Sequence, residues 1–126
     1  MRIHHIALYA KDLERLRTFY ETYFGAVSGA QYHNPRTGLT TYFLSFADGA
    51  KLELMHRPDV SAAVEGLRYG FIHIALSVGD AAVVDALTER LRTDGYTISS
   101  NPRTTGDGYY ESCVLDPEGN QIEITI

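Results

Sequence analysis

The chain has 126 residues, 44% of them hydrophobic, enough for one compact core, whereas either half alone would be marginal. A formal net charge of −5 with no basic cluster excludes a polyanion-binding surface, so nucleic acid is not an expected partner. No run reaches the ~18 apolar residues of a membrane span, no apolar leader precedes the first strand, and the single cysteine, Cys113, allows no intrachain disulfide, so the expected setting is the cytoplasm, away from membranes, with Cys113 filling core space.

Residues 3–9 form a short apolar run ended by a polar break, which predicts a strand. Asp12 then stands as an N-cap able to accept from the orphan amides of a first helical turn. Leu13, Leu16, Tyr20 and Phe24 follow at helical spacing until Gly25 stops the helix. Strands are predicted over 26–33, over 40–46 after the turn Asn34-Pro35-Arg36-Thr37-Gly38, and over 50–56 after Ala47-Asp48-Gly49. Residues 57–70 read as a connection. The same order then returns: a strand over 72–78, and Asp80 capping a helix that carries Val83, Val84, Leu87 and Leu91 and ends at Gly95. A short strand at 96–99, a polar loop at 101–108, a strand at 109–115 and a last strand after the turn at 116–119 complete eight strands and two helices.

The repetition extends to the letters. His73-Ile74-Ala75-Leu76 repeats His5-Ile6-Ala7-Leu8 at an offset of 68, Asp12 and Asp80 each fall seven places after their His, and Gly49 to Gly119 and Glu53 to Glu123 are both 70 apart. The expected architecture is therefore α+β: two βαβββ modules, 1–56 and 71–126, joined by a linker at 57–70, each a curved mixed sheet with its helix on the outer face. Strand alternation places Ile6, Leu8, Leu52 and Leu54 toward the first helix and His5 and Glu53 on the opposite face, with His73 and Glu123 treated alike in the second module.

Two imidazoles and two carboxylates gathered in a concavity suit a divalent cation, with zinc, nickel, cobalt, iron and manganese all compatible with nitrogen and oxygen donors. Such an ion polarises vicinal oxygens of a small-molecule substrate while a carboxylate serves as base. Any one of these residues alone reads as an ordinary strand histidine or a solvated strand charge. Recurrence of all four in register is what favours a site. His4, His33 and His56 have no such counterpart and read as exposed or hydrogen-bonded histidines.

On these residues the sequence resembles, over essentially its whole length, the vicinal oxygen chelate superfamily, which includes glyoxalase I, extradiol dioxygenases, fosfomycin-resistance proteins, methylmalonyl-CoA epimerase and bleomycin-binding proteins. The resemblance implies that His5, Glu53, His73 and Glu123 are metal ligands. Glu53 points to the bacterial glyoxalase I (lactoylglutathione lyase) branch, because the dioxygenases and fosfomycin transferases have no ligand at that strand position and the epimerase has Gln. The implied reaction converts the hemithioacetal of methylglyoxal and a thiol into a 2-hydroxyacyl thioester, with Glu123 and Glu53 as proton-transfer groups. Tyr9 stands where that branch has an Arg, and Arg57 where it has an Asn, so Tyr9, Arg57 and Arg103 are the candidate substrate contacts, with Arg36 as a further loop cation. The resemblance also implies a homodimer with its sites at the interface. Another metalloenzyme of the superfamily, an epimerase or a dioxygenase, and a small-molecule-binding resistance-type protein are the alternatives.

Overall fold

The computed structural model describes residues 1–61, 69–106 and 108–126, and the chain divides into two compact units, 1–66 and 67–126. Part of the expected linker, 62–68, lies outside the described residues.

In the first unit β1 (His5–Tyr9) leads into α1 (Leu13–Phe24), and β2 (Val27–Ser28), β3 (Tyr32–His33), β4 (Thr40–Ser45) and β5 (Lys51–His56) follow. Asp12 caps α1 as expected, its carboxylate accepting from the Arg15 amide at 3.0 Å, and Gly25 closes the other end. Leu13, Leu16, Phe19 and Tyr20 form the buried face of the helix, against Leu44, Leu52 and Leu54 of the sheet. Each of these sheet leucines is at most 3% exposed, which by transfer energetics stabilises the unit by roughly 1.5–3 kcal/mol apiece. The sheet is mixed and open, with order β1-β5-β4-β2 and with β3 also on β4. The β1–β5 pairing is parallel and the others antiparallel.

The second unit repeats the plan with β6 (His73–Ser77), α2 (Ala81–Thr93), β7 (Ile98–Thr104), β8 (Tyr110–Leu115) and β9 (Gln121–Thr125) in the order β6-β9-β8-β7. Asp80 caps α2 through the Val83 amide at 3.0 Å, as Asp12 caps α1. The β6–β9 pairing is parallel with Ala75 opposite Glu123, the same register that sets Ala7 opposite Glu53. Gly49 and Gly119, before the two closing strands, share a φ of 85°, a left-handed turn that a Cβ would strain.

Four sequence expectations need correction. The strand expected over 26–33 is two short strands, because Gly29 offers no side chain and Ala30 only a methyl to pack, and Gln31 turns to the Tyr42 hydroxyl at 2.8 Å. The polar loop expected from Asn101 is strand through Thr104: β7 is an edge, where register shifts and the missing N–H of Pro102 are tolerated. Arg103 therefore sits on a strand, not a loop. Val83 is exposed, and Thr88 joins Val84 and Leu91 in the buried face of α2.

Candidate functional site

Each unit places one His–Glu pair on the sheet face opposite its helix. His5 and Glu53 are diagonal neighbours, since His5 pairs in register with Lys51 and Glu53 with Ala7, and their Nε2 and Oε2 atoms lie 3.6 Å apart. In the second unit His73 pairs with Gln121 and Glu123 with Ala75, and the same atoms are 3.5 Å apart. The imidazoles are 40% and 36% exposed and the carboxylates 16% and 17%, so the two pairs match in environment as well as in spacing.

The surroundings of the pairs differ. Opposite Glu53 on β4 stands Phe43, whose ring meets the His5 ring edge-on with centroids 5.4 Å apart. His4 Nδ1 lies 2.9 Å from His5 Nδ1, so one ring donates and the other accepts, leaving His5 Nε2 as the atom toward Glu53. His4 has no counterpart in the repeat and so carries no signal there. The signal that finds it is that it precedes β1 and so escapes the strand's alternation.

Opposite Glu123 stands Cys113, buried as expected but on the open face of its sheet, in alternation with Glu111 and Leu115. Burial raises its thiol pKa, as suits a space-filling cysteine rather than a nucleophile. His33 and His56 are hydrogen-bonded, to Thr40 Oγ1 and to the Ala10 carbonyl, both at 3.0 Å.

The candidate substrate contacts fall into two groups. Tyr9 lies at the end of β1 with Met55 as its register partner, and it acts on Arg57, whose guanidinium is forked onto Asp59. Arg103 reaches Glu111 at 3.4 Å and Ser100 at 3.3 Å. Arg57 and Arg103 are thus engaged by carboxylates of their own unit.

Donor chemistry fits a divalent cation at either pair. Imidazole nitrogen and carboxylate oxygen on one ion at about 2.1 Å would sit roughly 3.0–3.4 Å apart, close to the observed separations. Among the described residues no three His, Cys, Asp or Glu side chains form a group that could hold a metal ion, so each pair by itself is half of a usual ligand set. No described helix is long and apolar enough to cross a membrane.

Comparison with known proteins covers the whole chain. The sequence profile of the Glyoxalase/Bleomycin resistance protein/Dioxygenase superfamily matches residues 2–124. Lactoylglutathione lyase of Haemophilus influenzae is 32% identical over 127 residues, spanning 98% of this chain and 90% of its own. Bovine mitochondrial methylmalonyl-CoA epimerase is 28% identical over 98 residues, covering 72% of this chain and 55% of its own. Among solved structures, the trypanothione-dependent glyoxalase I of Leishmania major superposes with a TM-score of 0.79 at 26% identity, over 99% of this chain and 86% of that one.

Proposed function

Because the chain belongs to the Glyoxalase/Bleomycin resistance protein/Dioxygenase superfamily, we propose that it is a glyoxalase I-like metalloenzyme, rearranging the hemithioacetal of a 2-oxoaldehyde and a thiol into a 2-hydroxyacyl thioester. The observation that carries this reading is the twofold occurrence of a His–Glu pair at the same register, with Nε2 to Oε2 separations of 3.6 and 3.5 Å. A Glu, not a Gln, at position 53 makes the pairs chemically equal, and relatives named lactoylglutathione lyase span nearly the full length.

His5, Glu53, His73 and Glu123 are the proposed ligands of one divalent cation per site, zinc, nickel or cobalt first and iron or manganese next. Bound there, the ion would polarise the vicinal oxygens of the hemithioacetal and acidify its carbon-bound proton. The protein's own part is to move that proton. Glu123 or Glu53 takes it from C1 and returns it to C2 while the C1 hydroxyl proton passes to the C2 oxygen, so the aldehyde-derived carbon becomes the thioester carbonyl and the neighbouring carbonyl a hydroxyl, with no net gain or loss of atoms. A homodimer in which each site takes one pair from each chain is the proposed assembly, on the resemblance to the family.

The test is twofold. Metal analysis should find about one divalent ion per site, weakened in Glu53→Gln and lost in His73→Ala, and thioester formation from methylglyoxal and a thiol panel should need added metal and vanish in Glu123→Gln. Metal-dependent racemisation of an acyl-CoA without thioester formation would favour the epimerase reading, which the bovine relative supports. Relatives named for glutathione and for trypanothione show that the thiol varies within the family.

A further inference from the structure

Resting on the lyase reading, the far end of the first unit's open face narrows the kind of thiol that fits. Lys51, Glu53 and Met55 alternate onto that face along β5, and Arg57, the first residue after the strand, is next in the same sequence alternation, with Tyr9 the register partner of Met55. Four residues of extended chain span about 13 Å. That is the reach of a peptide-sized thiol extending from Glu53, so Arg57 stands where the carboxylate of such a thiol would arrive.

Arg57 is already engaged. Its Nε donates to Asp59 Oδ1 at 2.9 Å and its Nη2 to Oδ2 at 2.5 Å, a fork-to-fork pair. The backbone holds Asp59 in place, because residues 57–60 form a turn closed by the Val60 amide on the Arg57 carbonyl at 3.2 Å, with Pro58 at the second position where its fixed φ belongs. Gly38 supports the turn from below: a Cβ there, at a φ of 72°, would come within 2.9 Å of the Pro58 ring. An exposed ion pair between two mobile side chains means little. Here one partner is set by a braced turn.

We propose that Asp59 is a specificity-determining residue: by occupying the Arg57 fork it makes that end of the site neutral and selects a thiol without a carboxylate at that position. A carboxylate arriving at Arg57 must displace Asp59 or lie beside its negative charge, and either excludes an anionic thiol more than it favours a neutral one.

Calorimetric titration of the metal-loaded protein with glutathione and with its diethyl ester tests this, with circular dichroism confirming the fold of each variant. The wild type should bind the ester at least as tightly as the acid. Asp59→Asn should tighten glutathione about tenfold, the worth of one recovered charge-assisted pair, and leave the ester unchanged. Adding Arg57→Gln should cancel the gain. A folded Asp59→Asn protein with an unchanged preference overturns the proposal alone, while turnover of the 2-mercaptoethanol hemithioacetal still reports the lyase chemistry. Binding of neither thiol to any variant, with no thioester from 2-mercaptoethanol, overturns both.

Discussion

The buried hydroxyl pair beneath β8 gives the sharpest test of the second unit's packing. Thr88 Oγ1 donates to the Val84 carbonyl at 2.6 Å and lies 2.6 Å from Ser112 Oγ, and the two residues are 1% and 0% exposed. Thr88 has one hydroxyl proton, and it goes to Val84. Ser112 is therefore the donor across the α2–β8 contact. Thr88→Val keeps the shape and removes the acceptor, leaving a buried Ser112 O–H orphaned at a cost of about 1–3 kcal/mol, whereas Ser112→Ala leaves Thr88 bonded to Val84 and costs about 1 kcal/mol or less. The double variant should recover most of the Thr88→Val loss, because no orphan remains. At roughly 3–6 °C per kcal/mol for a chain of this size, thermal melts followed by circular dichroism resolve the difference. Equal losses in the two single variants, or strictly additive losses in the double, would refute the donor assignment. Ser112 lies next to Cys113, which faces Glu123 across the β8–β9 ladder.

His5→Ala and His73→Ala should each abolish most metal binding while His33→Ala retains it, as measured by metal analysis after dialysis; equal retention in all three would remove the ligand assignment. His4→Ala should weaken metal binding by about tenfold, the usual effect of losing a ligand's outer hydrogen bond, in a competition titration with a chromogenic chelator. Refolding a mixture of His5→Ala and His73→Ala chains should restore about a quarter of the wild-type sites if each site draws its pairs from two chains, and none if one chain supplies both. The Tyr42 hydroxyl, then Arg17, holds the Glu14 carboxylate below its ordinary range, so this contribution is present above the usual Glu pKa and lost as pH falls through the depressed one. The melting-temperature gap between wild type and Tyr42→Phe should accordingly be widest near neutrality and close in acid.

Duplication made the fold legible in the sequence. Capping aspartates at 12 and 80, left-handed glycines at 49 and 119 and alternating strands recur at nearly fixed offsets, and each copy confirms the other's elements. The His–Glu pairs were legible for the same reason. Features that depend on one satisfied polar contact were not. The helical spacing of Val83, Val84, Leu87 and Leu91 leaves Thr88 out, and only with Ser112 as its partner does Thr88 join the buried face of α2 while Val83 is exposed. The split of β2 from β3 turns on Gln31 finding Tyr42, and the length of β7 on being an edge, which no local propensity encodes. Arg57 and Arg103 read as available cations because their carboxylate partners are ordinary surface residues in the sequence, and only the turn at 57–60 and the β7–β8 register bring Asp59 and Glu111 to them.

The two units agree where donors are concerned and differ around them, and that pattern argues for an asymmetric substrate. His5 and His73, and Glu53 and Glu123, superimpose in register, exposure and spacing. Around them Phe43 corresponds to Cys113, Tyr9 to Ser77 and Met55 to Thr125, so the first unit offers an aromatic and thioether wall and the second a small, polar one. In the proposed site a cation would take like donors from a first and a second unit. A hemithioacetal has unlike ends, the oxoaldehyde substituent on one side and the thiol on the other, and each end needs its own wall. The apolar wall also leads to Arg57 and Asp59, where charge is internally cancelled. If the proposed site is right, this face of the first unit would receive an elongated substituent without net charge.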